Sequence, residues 1–121
     1  MMESIPDKHT PVLVIDDDEG LLLSIKATLV SSGLPEPALL SDSRNALELV
    51  RKYSFQLILL DLMMPHLNGM EVLKKIKDEF PDPECVIVSA SDDVATAVQA
   101  MTLGASDYLV KPLNSEKLIA L

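Results

Sequence analysis

Four short apolar segments of this chain each end at a residue that can bind or neutralise a phosphoryl group. They are Val12–Ile15 before Asp16 and Asp17, Leu57–Leu60 before Asp61, Val86–Val88 before Ser89, and Tyr108–Val110 before Lys111. Apolar runs of this length, with helical patterns between them, are typical of buried parallel strands. Ligands of such sheets bind at the carboxyl ends of the strands. We therefore expect three acids, a hydroxyl and a lysine to meet at one edge of a sheet, where they suit a divalent metal and a phosphoryl group.

The segments between these strands have apolar residues at helical spacing. In chain order the apolar positions are Leu22, Ile25 and Leu29, then Ala46, Leu49, Val50 and Tyr53, then Val72, Leu73, Ile76 and Phe80, then Val94, Ala97, Val98 and Met101. A weaker strand is predicted at Ala38–Leu40, and the third strand is predicted over Phe55–Leu60. Pro65 and the Asn68–Gly69 pair predict a loop that leads into the third helix. Ser91 or Asp92 is the expected cap of the fourth helix.

This alternation predicts a single α/β domain whose parallel sheet has five strands and helices on both faces. Residues 1–10 are polar and are interpreted as an N-terminal leader, so that the domain covers 11–121. Its last helix begins at Ser115 and is expected to be cut short at Leu121. The 121 residues are enough for one core but too few for two domains.

Charge and hydropathy exclude several classes of protein. The formal net charge of −9 argues against direct nucleic-acid binding, which requires a basic surface. No apolar run has the length of a membrane span, and the N-terminus lacks the features of a signal peptide. A cytoplasmic location is therefore expected.

The three acids carry the functional argument. Two carboxylates about 4 Å apart repel by roughly 4 kcal/mol at an effective dielectric near 20, so a cluster of three needs a cation or a proton. Mg²⁺ suits such oxygen ligands. Each residue also has a simpler interpretation: Asp16 and Asp17 as an acidic helix N-terminus, Ser89 as a helix cap and Lys111 as a surface lysine. Their common place at strand ends favours a shared site.

Four tracts resemble the receiver domain of two-component response regulators. They are VLVIDDDE at 12–19, LILLDLMMPHLNGMEVL at 57–73, VIVSAS at 86–91 and GASDYLVKP at 104–112. The resemblance covers essentially the whole chain. The tract DDVATAVQAMTLGASDYLVKP is similar to receivers of the nitrogen-regulation type, which precede an ATPase that activates an alternative sigma factor.

The resemblance implies a flavodoxin-like, doubly wound (βα)5 fold with strand order 2-1-3-4-5. It implies that Asp61 is the phosphoacceptor. It also implies that Mg²⁺ or Mn²⁺ is bound by Asp16, Asp17, Asp61 and the backbone carbonyl of Met63. Ser89 is then the switch hydroxyl, Lys111 the lysine that contacts the phosphoryl group, and Tyr108 the aromatic that changes rotamer. A cis peptide is implied before Pro112.

The function implied is a signalling switch that a histidine kinase phosphorylates. The domain would catalyse its own phosphoryl transfer and dephosphorylation without turning over a separate substrate. Implied partners are a C-terminal output domain for transcription regulation and a second copy in a weak or phosphorylation-dependent homodimer. The fourth helix, fifth strand and last helix would form the surface that changes.

Two alternatives remain open. An Mg²⁺-dependent aspartate-nucleophile phosphohydrolase would use acids at the spacing of Asp16 and Asp18, but no Thr follows them and the chain is too small for a cap domain. A flavodoxin-like flavin binder would need a hydroxyl-rich phosphate loop, whereas the acids from Asp16 to Glu19 would repel phosphate.

Overall fold

The computed structural model describes residues 2–64 and 68–121, which leaves Pro65 and His66 outside the described residues. Its strands are β1 (Glu3–Ser4), β2 (Val12–Ile15), β3 (Ala38–Leu40), β4 (Leu57–Asp61), β5 (Glu84–Ser89) and β6 (Asp107–Val110). Its helices are α1 (Glu19–Ser31), α2 (Ala46–Lys52), α3 (Gly69–Glu79), α4 (Val94–Thr102) and α5 (Ser115–Ile119), with a 3-10 turn at Ser43–Asn45.

The described strands form one six-stranded sheet in the order β1-β3-β2-β4-β5-β6. The prediction of five strands in the order 2-1-3-4-5 is therefore wrong for the whole sheet. The additional strand is β1, which pairs antiparallel with β3 and comes from the segment predicted to be a leader. The other five strands are parallel and lie in the order β3-β2-β4-β5-β6. A two-residue edge strand has no apolar alternation, so its sequence gives no strand signal.

The two faces of the sheet carry different helices. Buried Leu22, Ile25 and Leu29 of α1 and Leu118 of α5 pack on one face, which includes Val14 and Leu59. The opposite face includes Leu13, Ile15, Ile58 and Leu60, and it packs against buried residues of α2, α3 and α4. Alternate residues of β2 and β4 therefore enter opposite layers, as strands buried on both faces require.

Local capping sets where the helices begin and end. Gly33 adopts a φ of 82° after α1, and the amide of Leu34 donates to the carbonyl of Leu29, which is a glycine-type helix end. Asn68 caps α3 through the amide of Glu71. At α4 the cap is Asp93, which accepts from the amide of Ala95. The prediction of Ser91 or Asp92 as this cap is wrong by one or two positions.

The apolar stripe of α4 is largely exposed. Val94 is 74%, Val98 59% and Met101 47% accessible, whereas Ala100 is buried. Helical periodicity identifies such a stripe but does not reveal what covers it. In the described part of the chain, no helix has the length and apolar character needed to cross a membrane.

Candidate functional site

Sheet register brings the strand-end residues to one edge. Ile15 of β2 pairs with Leu60 of β4, so the next residues, Asp16 and Asp61, emerge side by side. Farther along the same edge, Ser89 of β5 pairs with Val110 of β6, which precedes Lys111. Parallel pairing thus converts four distant sequence positions into neighbours at the carboxyl ends of the strands.

Lys111 lies between the two buried acids. Its Nζ is 2.9 Å from Asp16 Oδ2 and 3.5 Å from Asp61 Oδ1. The carboxylate side chains are each only 4% exposed, and the lysine side chain is 24% exposed. One lysine therefore lies within ion-pair distance of two buried carboxylates, and its own side chain is partly exposed to solvent.

The electrostatic balance leaves this edge short of positive charge. Burial, followed by the negative charge of Asp16, raises the pKa of Asp61 to about 6 against the opposing effect of Lys111. Burial alone would lower the pKa of Lys111, but the hydrogen bond and charge of Asp16, with the charge of Asp61, outweigh it and raise the pKa above its ordinary value. The raised pKa of Asp61 means that the charge of Lys111 does not outweigh the combined effects of burial and of the negative charge of Asp16.

The acidic cluster has the composition of a divalent-cation site. Asp16, Asp17 and Asp61 each offer a carboxylate oxygen, and these atoms lie within 4.8 Å of one another. Asp17 is exposed while the other two are buried, so the cluster opens towards solvent. Hard cations such as Mg²⁺ bind carboxylate oxygen in this way while retaining waters and phosphate oxygens as further ligands. The donor set and its excess negative charge both fit Mg²⁺.

Backbone groups support the two buried acids. The amide of Asp18 donates to Asp16 Oδ1 at 3.0 Å, and the amide of Met63 donates to Asp61 Oδ1 at 3.3 Å. The side chain of Asp18 instead accepts from the amide of Leu21 and caps α1. The second acid that the phosphohydrolase alternative needs is thus engaged with the helix, and the role of the Met63 carbonyl stays a prediction.

Ser89 and Tyr108 are linked through a third residue. Ser89 is fully buried, and its Oγ accepts from the amide of Ser91 at 3.1 Å. The hydroxyl of Tyr108 donates to the carbonyl of Ser91 at 2.8 Å. Next to this group, the amide of Lys111 donates to the carbonyl of Ser89, and the peptide between Lys111 and Pro112 is cis.

Sequence reasoning missed the supporting contacts of Ser91 and Gly69. The Gly69 amide donates to the carbonyl of Leu62 at 2.9 Å, and a Cβ at position 69 would overlap the Asp61 carbonyl oxygen and Leu62 Cα. The only sequence signal was the position of each residue, shortly after a strand that ends in a functional side chain. The loop conformations that create these contacts are not encoded in a periodic pattern.

Comparisons with known proteins place this geometry in a family. The family model for the response regulator receiver domain matches residues 12–121. The chain is 41% identical over 111 residues to the transcriptional regulatory protein ZraR of Klebsiella oxytoca, covering 92% of this chain and 25% of that protein. The chain thus spans about a quarter of the length of this relative.

Solved structures agree with the family model. A CheY-like response regulator receiver domain protein from Methanospirillum hungatei JF-1 has a TM-score of 0.85 at 27% identity, covering 93% of this chain and 89% of that one. A response regulator protein from Burkholderia pseudomallei, solved with a phosphorylated aspartic acid, a calcium ion and citrate, has a TM-score of 0.82 at 32% identity, covering 94% and 65%. Together with the match over 12–121, these likenesses mean that the chain belongs to the response regulator receiver domain family.

Proposed function

We propose that this receiver domain is a Mg²⁺-dependent switch whose phosphoacceptor is Asp61 and whose donor is the phosphohistidine of a histidine kinase. The observation that carries the proposal is the position of Lys111 Nζ, 2.9 Å from Asp16 and 3.5 Å from Asp61, beside three carboxylates within 4.8 Å of one another. A lysine there contacts both a metal-binding acid and the acid that would receive the phosphoryl group.

The transfer requires one bond to form and one to break. A carboxylate oxygen of Asp61 attacks phosphorus, and the bond between phosphorus and the imidazole nitrogen of the donor breaks. The imidazole leaves with the electron pair of that bond and takes up a proton. The product on Asp61 is an acyl phosphate. Lys111 stabilises the charge that develops on the phosphoryl oxygens, because its head group is already held at this edge.

Asp16, Asp17, Asp61 and the carbonyl of Met63 would hold Mg²⁺, which supplies charge neutralisation for the phosphoryl group. The raised pKa of Asp61 supports this assignment, since the carboxyl needs a further cation to ionise as readily as an ordinary aspartate. The attacking oxygen must be deprotonated. The bound cation and Lys111 would both favour the ionised form of Asp61.

The output of the switch is proposed to be the surface formed by α4 and β6, here called the α4–β6 face. A groove of about 560 Å³ lies on it, lined among others by Val94, Val98, Met101 and Tyr108. Apolar residues exposed together mark an interaction surface more often than scattered ones do. Tyr108 is both part of this groove and hydrogen-bonded to the loop that follows Ser89.

We further propose that the α4–β6 face controls a weak homodimer and a transcriptional output domain. ZraR and the response regulator MprA of Mycolicibacterium vanbaalenii are both longer than the region they share with this chain, and ZraR is a transcriptional regulatory protein. The tract from Asp92 to Pro112 supports an output of the nitrogen-regulation type through its resemblance to those receivers.

Incubation with acetyl phosphate and Mg²⁺ tests the proposal. Intact mass should rise by one phosphoryl group in the wild type, and chelation of Mg²⁺ should abolish the rise. Asp61→Asn should remain unmodified, whereas Asp82→Asn, at an exposed acid remote from the cluster in sequence, should be modified like the wild type. Unchanged modification of Asp61→Asn would refute the acceptor assignment. Transfer from a phosphorylated histidine kinase then tests the donor.

A further inference from the structure

The N-terminal strand β1 is tied to the loop that carries two acids of the cluster. It pairs antiparallel with β3, and the amide of Ser41, just after β3, donates to the carbonyl of Met2 at 2.9 Å. The Met2 amide donates in turn to Ser41 Oγ at 2.6 Å. Ser41 Oγ also lies 3.4 Å from Glu19 Oε2, in position to donate to it. Ser41 therefore joins residues 2–4, here called the N-terminal strap, to the first residue of α1.

The loop from Asp16 to Glu19 is held at both ends by β3 and the residue after it. At the beginning of the loop, the Asp16 amide donates to the carbonyl of Leu40, and Leu40 pairs with Glu3 of the strap. At the other end, Glu19 faces the hydroxyl that accepts from the strap. Between these contacts lies Asp17, whose exposed side chain forms no hydrogen bond or ion pair with another described residue. The position of Asp17 therefore depends on the backbone that the two contacts hold.

We propose that Ser41 is a positioning residue through which the N-terminal strap prepares the acidic loop for Mg²⁺. This inference rests on the function proposed above. Without a cation the three carboxylates repel one another, so a loop that is free to move separates them and must be reordered when the cation binds. A loop held by the strap loses less freedom on binding, and Mg²⁺ therefore binds it more tightly. The receiver resemblance assigns no role to residues 2–4 or to Ser41.

The coupling between the strap and the cation must work in both directions. If docking of the strap tightens Mg²⁺ binding by a given factor, bound Mg²⁺ must favour docking of the strap by the same factor. The amide of Ser41 reports docking, because its acceptor is the Met2 carbonyl. Mg²⁺ should therefore slow hydrogen exchange of this amide by about the factor by which loss of the Ser41 hydroxyl weakens Mg²⁺ binding.

The distinguishing variant is Ser41→Ala, which removes the hydroxyl but keeps the backbone bond to Met2 that serves as the reporter. Ser41→Thr retains the hydroxyl and is the conservative rescue. Ser43→Ala is the matched control, because Ser43 is also buried and its hydroxyl has no hydrogen bond to another described residue. Each full chain is titrated with magnesium chloride and followed by amide NMR. Exchange at position 41 is measured where it is faster than exchange of the core amides of β4, so that it reports local opening.

We expect Mg²⁺ to slow exchange at position 41 about fivefold in the wild type, the ratio to which one ordinary hydrogen bond corresponds. In Ser41→Ala, the Kd for Mg²⁺ should rise about fivefold, and the slowing by Mg²⁺ should disappear. Ser41→Thr and Ser43→Ala should match the wild type in both measurements. A purely structural role of the hydroxyl would instead speed exchange equally with and without Mg²⁺ and leave the Kd unchanged.

The two proposals fail in different ways. An unchanged Kd in Ser41→Ala, or wild-type exchange at position 41 that saturating Mg²⁺ does not slow, would overturn the role of Ser41 and leave the proposed function standing. Equal weakening of Mg²⁺ binding in Ser41→Thr or in Ser43→Ala would also overturn it, because the hydroxyl that contacts the strap would then not be the group that matters. A wild type that bound no Mg²⁺ would overturn the proposed function and this inference with it.

Discussion

At the residue scale, Asp61 is a buried acid whose carboxylate lies close to that of a second buried acid, Asp16. Burial and the charge of Asp16 raise its pKa to about 6 from 3.8. The folded state therefore holds the Asp61 proton more tightly than the unfolded state does. The ionised carboxylate costs stability above pH 6, and this cost disappears as the pH falls through about 6 towards 3.8.

We predict that Asp61→Asn raises the metal-free unfolding free energy by roughly 2 kcal/mol near pH 8 and has little effect near pH 4. The amide keeps the size of the side chain but removes the charge, so the pH dependence isolates the charge. Denaturant titrations at both pH values measure the difference. Asp82→Asn is the control, because it makes the same substitution at an exposed acid that is remote from the cluster in sequence. A stabilisation by Asp61→Asn that is equal at both pH values would contradict the electrostatic explanation.

Which side chains meet at the site could be predicted from the sequence, but their environment could not. Asp16, Asp61 and Lys111 each follow an apolar run, and parallel strands place such residues at one edge. Two features depend on loops whose conformation has no periodic signature. One is whether an acid is buried, and the other is the hydrogen bond from the Ser91 amide to Ser89 Oγ. The raised pKa of Asp61 likewise follows from burial, which only the folded arrangement determines.

At the scale of elements, α3 begins directly against the backbone that carries Asp61. We predict that Gly69→Ala destabilises the protein by about 1–3 kcal/mol, because the new Cβ would overlap the Asp61 carbonyl oxygen and Leu62 Cα. Displacing this peptide should also slow phosphorylation of Asp61 by acetyl phosphate. Thermal or denaturant unfolding and the labelling rate measure the two effects.

The control for this substitution is Gly20→Ala in the first turn of α1. Among the described residues outside its own helix backbone, its Cβ would approach only the Asp18 carboxylate, at 3.3 Å. Alanine is also the better helix former, by up to about 1 kcal/mol. We expect Gly20→Ala to be neutral or stabilising. A similar loss of stability in both variants would mean that helix propensity or general crowding, rather than contact with the Asp61 peptide, decides the result.

The N-terminal strand β1 protects an edge of the sheet. It pairs with β3, whose residues Ala38–Leu40 are completely buried, and the carbonyl of Met2 accepts from the amide of Ser41 at 2.9 Å. We predict that deleting residues 1–4 lowers the unfolding free energy by about 1–2 kcal/mol and causes concentration-dependent association, because it exposes an apolar edge strand. Light scattering and denaturant titration report the two changes.

Glu3→Ala serves as the control for the deletion, since it keeps the backbone pairing of β1 with Leu40. We expect its stability to lie within about 0.5 kcal/mol of the wild type. If the deletion left both stability and association unchanged, β1 would have no protective role.

At the scale of the whole molecule, the five parallel strands and the helices between them follow from apolar runs that alternate with helical spacing. Two features escaped this reasoning. The strand β1 is too short to carry a pattern, and its place depends on long-range pairing with β3, such as that of Glu3 with Leu40. The exposure of Val98 on α4 depends on the absence of a covering element among the described residues, which a stripe of apolar residues does not reveal.

The exposed stripe on α4 leads to a prediction about assembly. Val98 is 59% exposed near the middle of the α4–β6 face, so a lysine there would be desolvated in any dimer that uses this face. We expect Mg²⁺ and beryllofluoride to strengthen self-association of the wild type, and Val98→Lys to weaken the resulting dimer at least tenfold, or about 1.4 kcal/mol. Sedimentation at several protein concentrations, with and without beryllofluoride, measures both effects.

Leu23→Lys separates this interface from a general effect of charge. Leu23 is 50% exposed on α1, so its substitution also reduces the net charge of −9 by one unit and removes an exposed apolar side chain. Because α1 packs on the opposite face of the sheet from α4, Leu23→Lys should dimerise like the wild type. Equal weakening by both lysines would show that association follows surface charge and not the α4–β6 face, and the output surface would then have to be sought on another part of the domain.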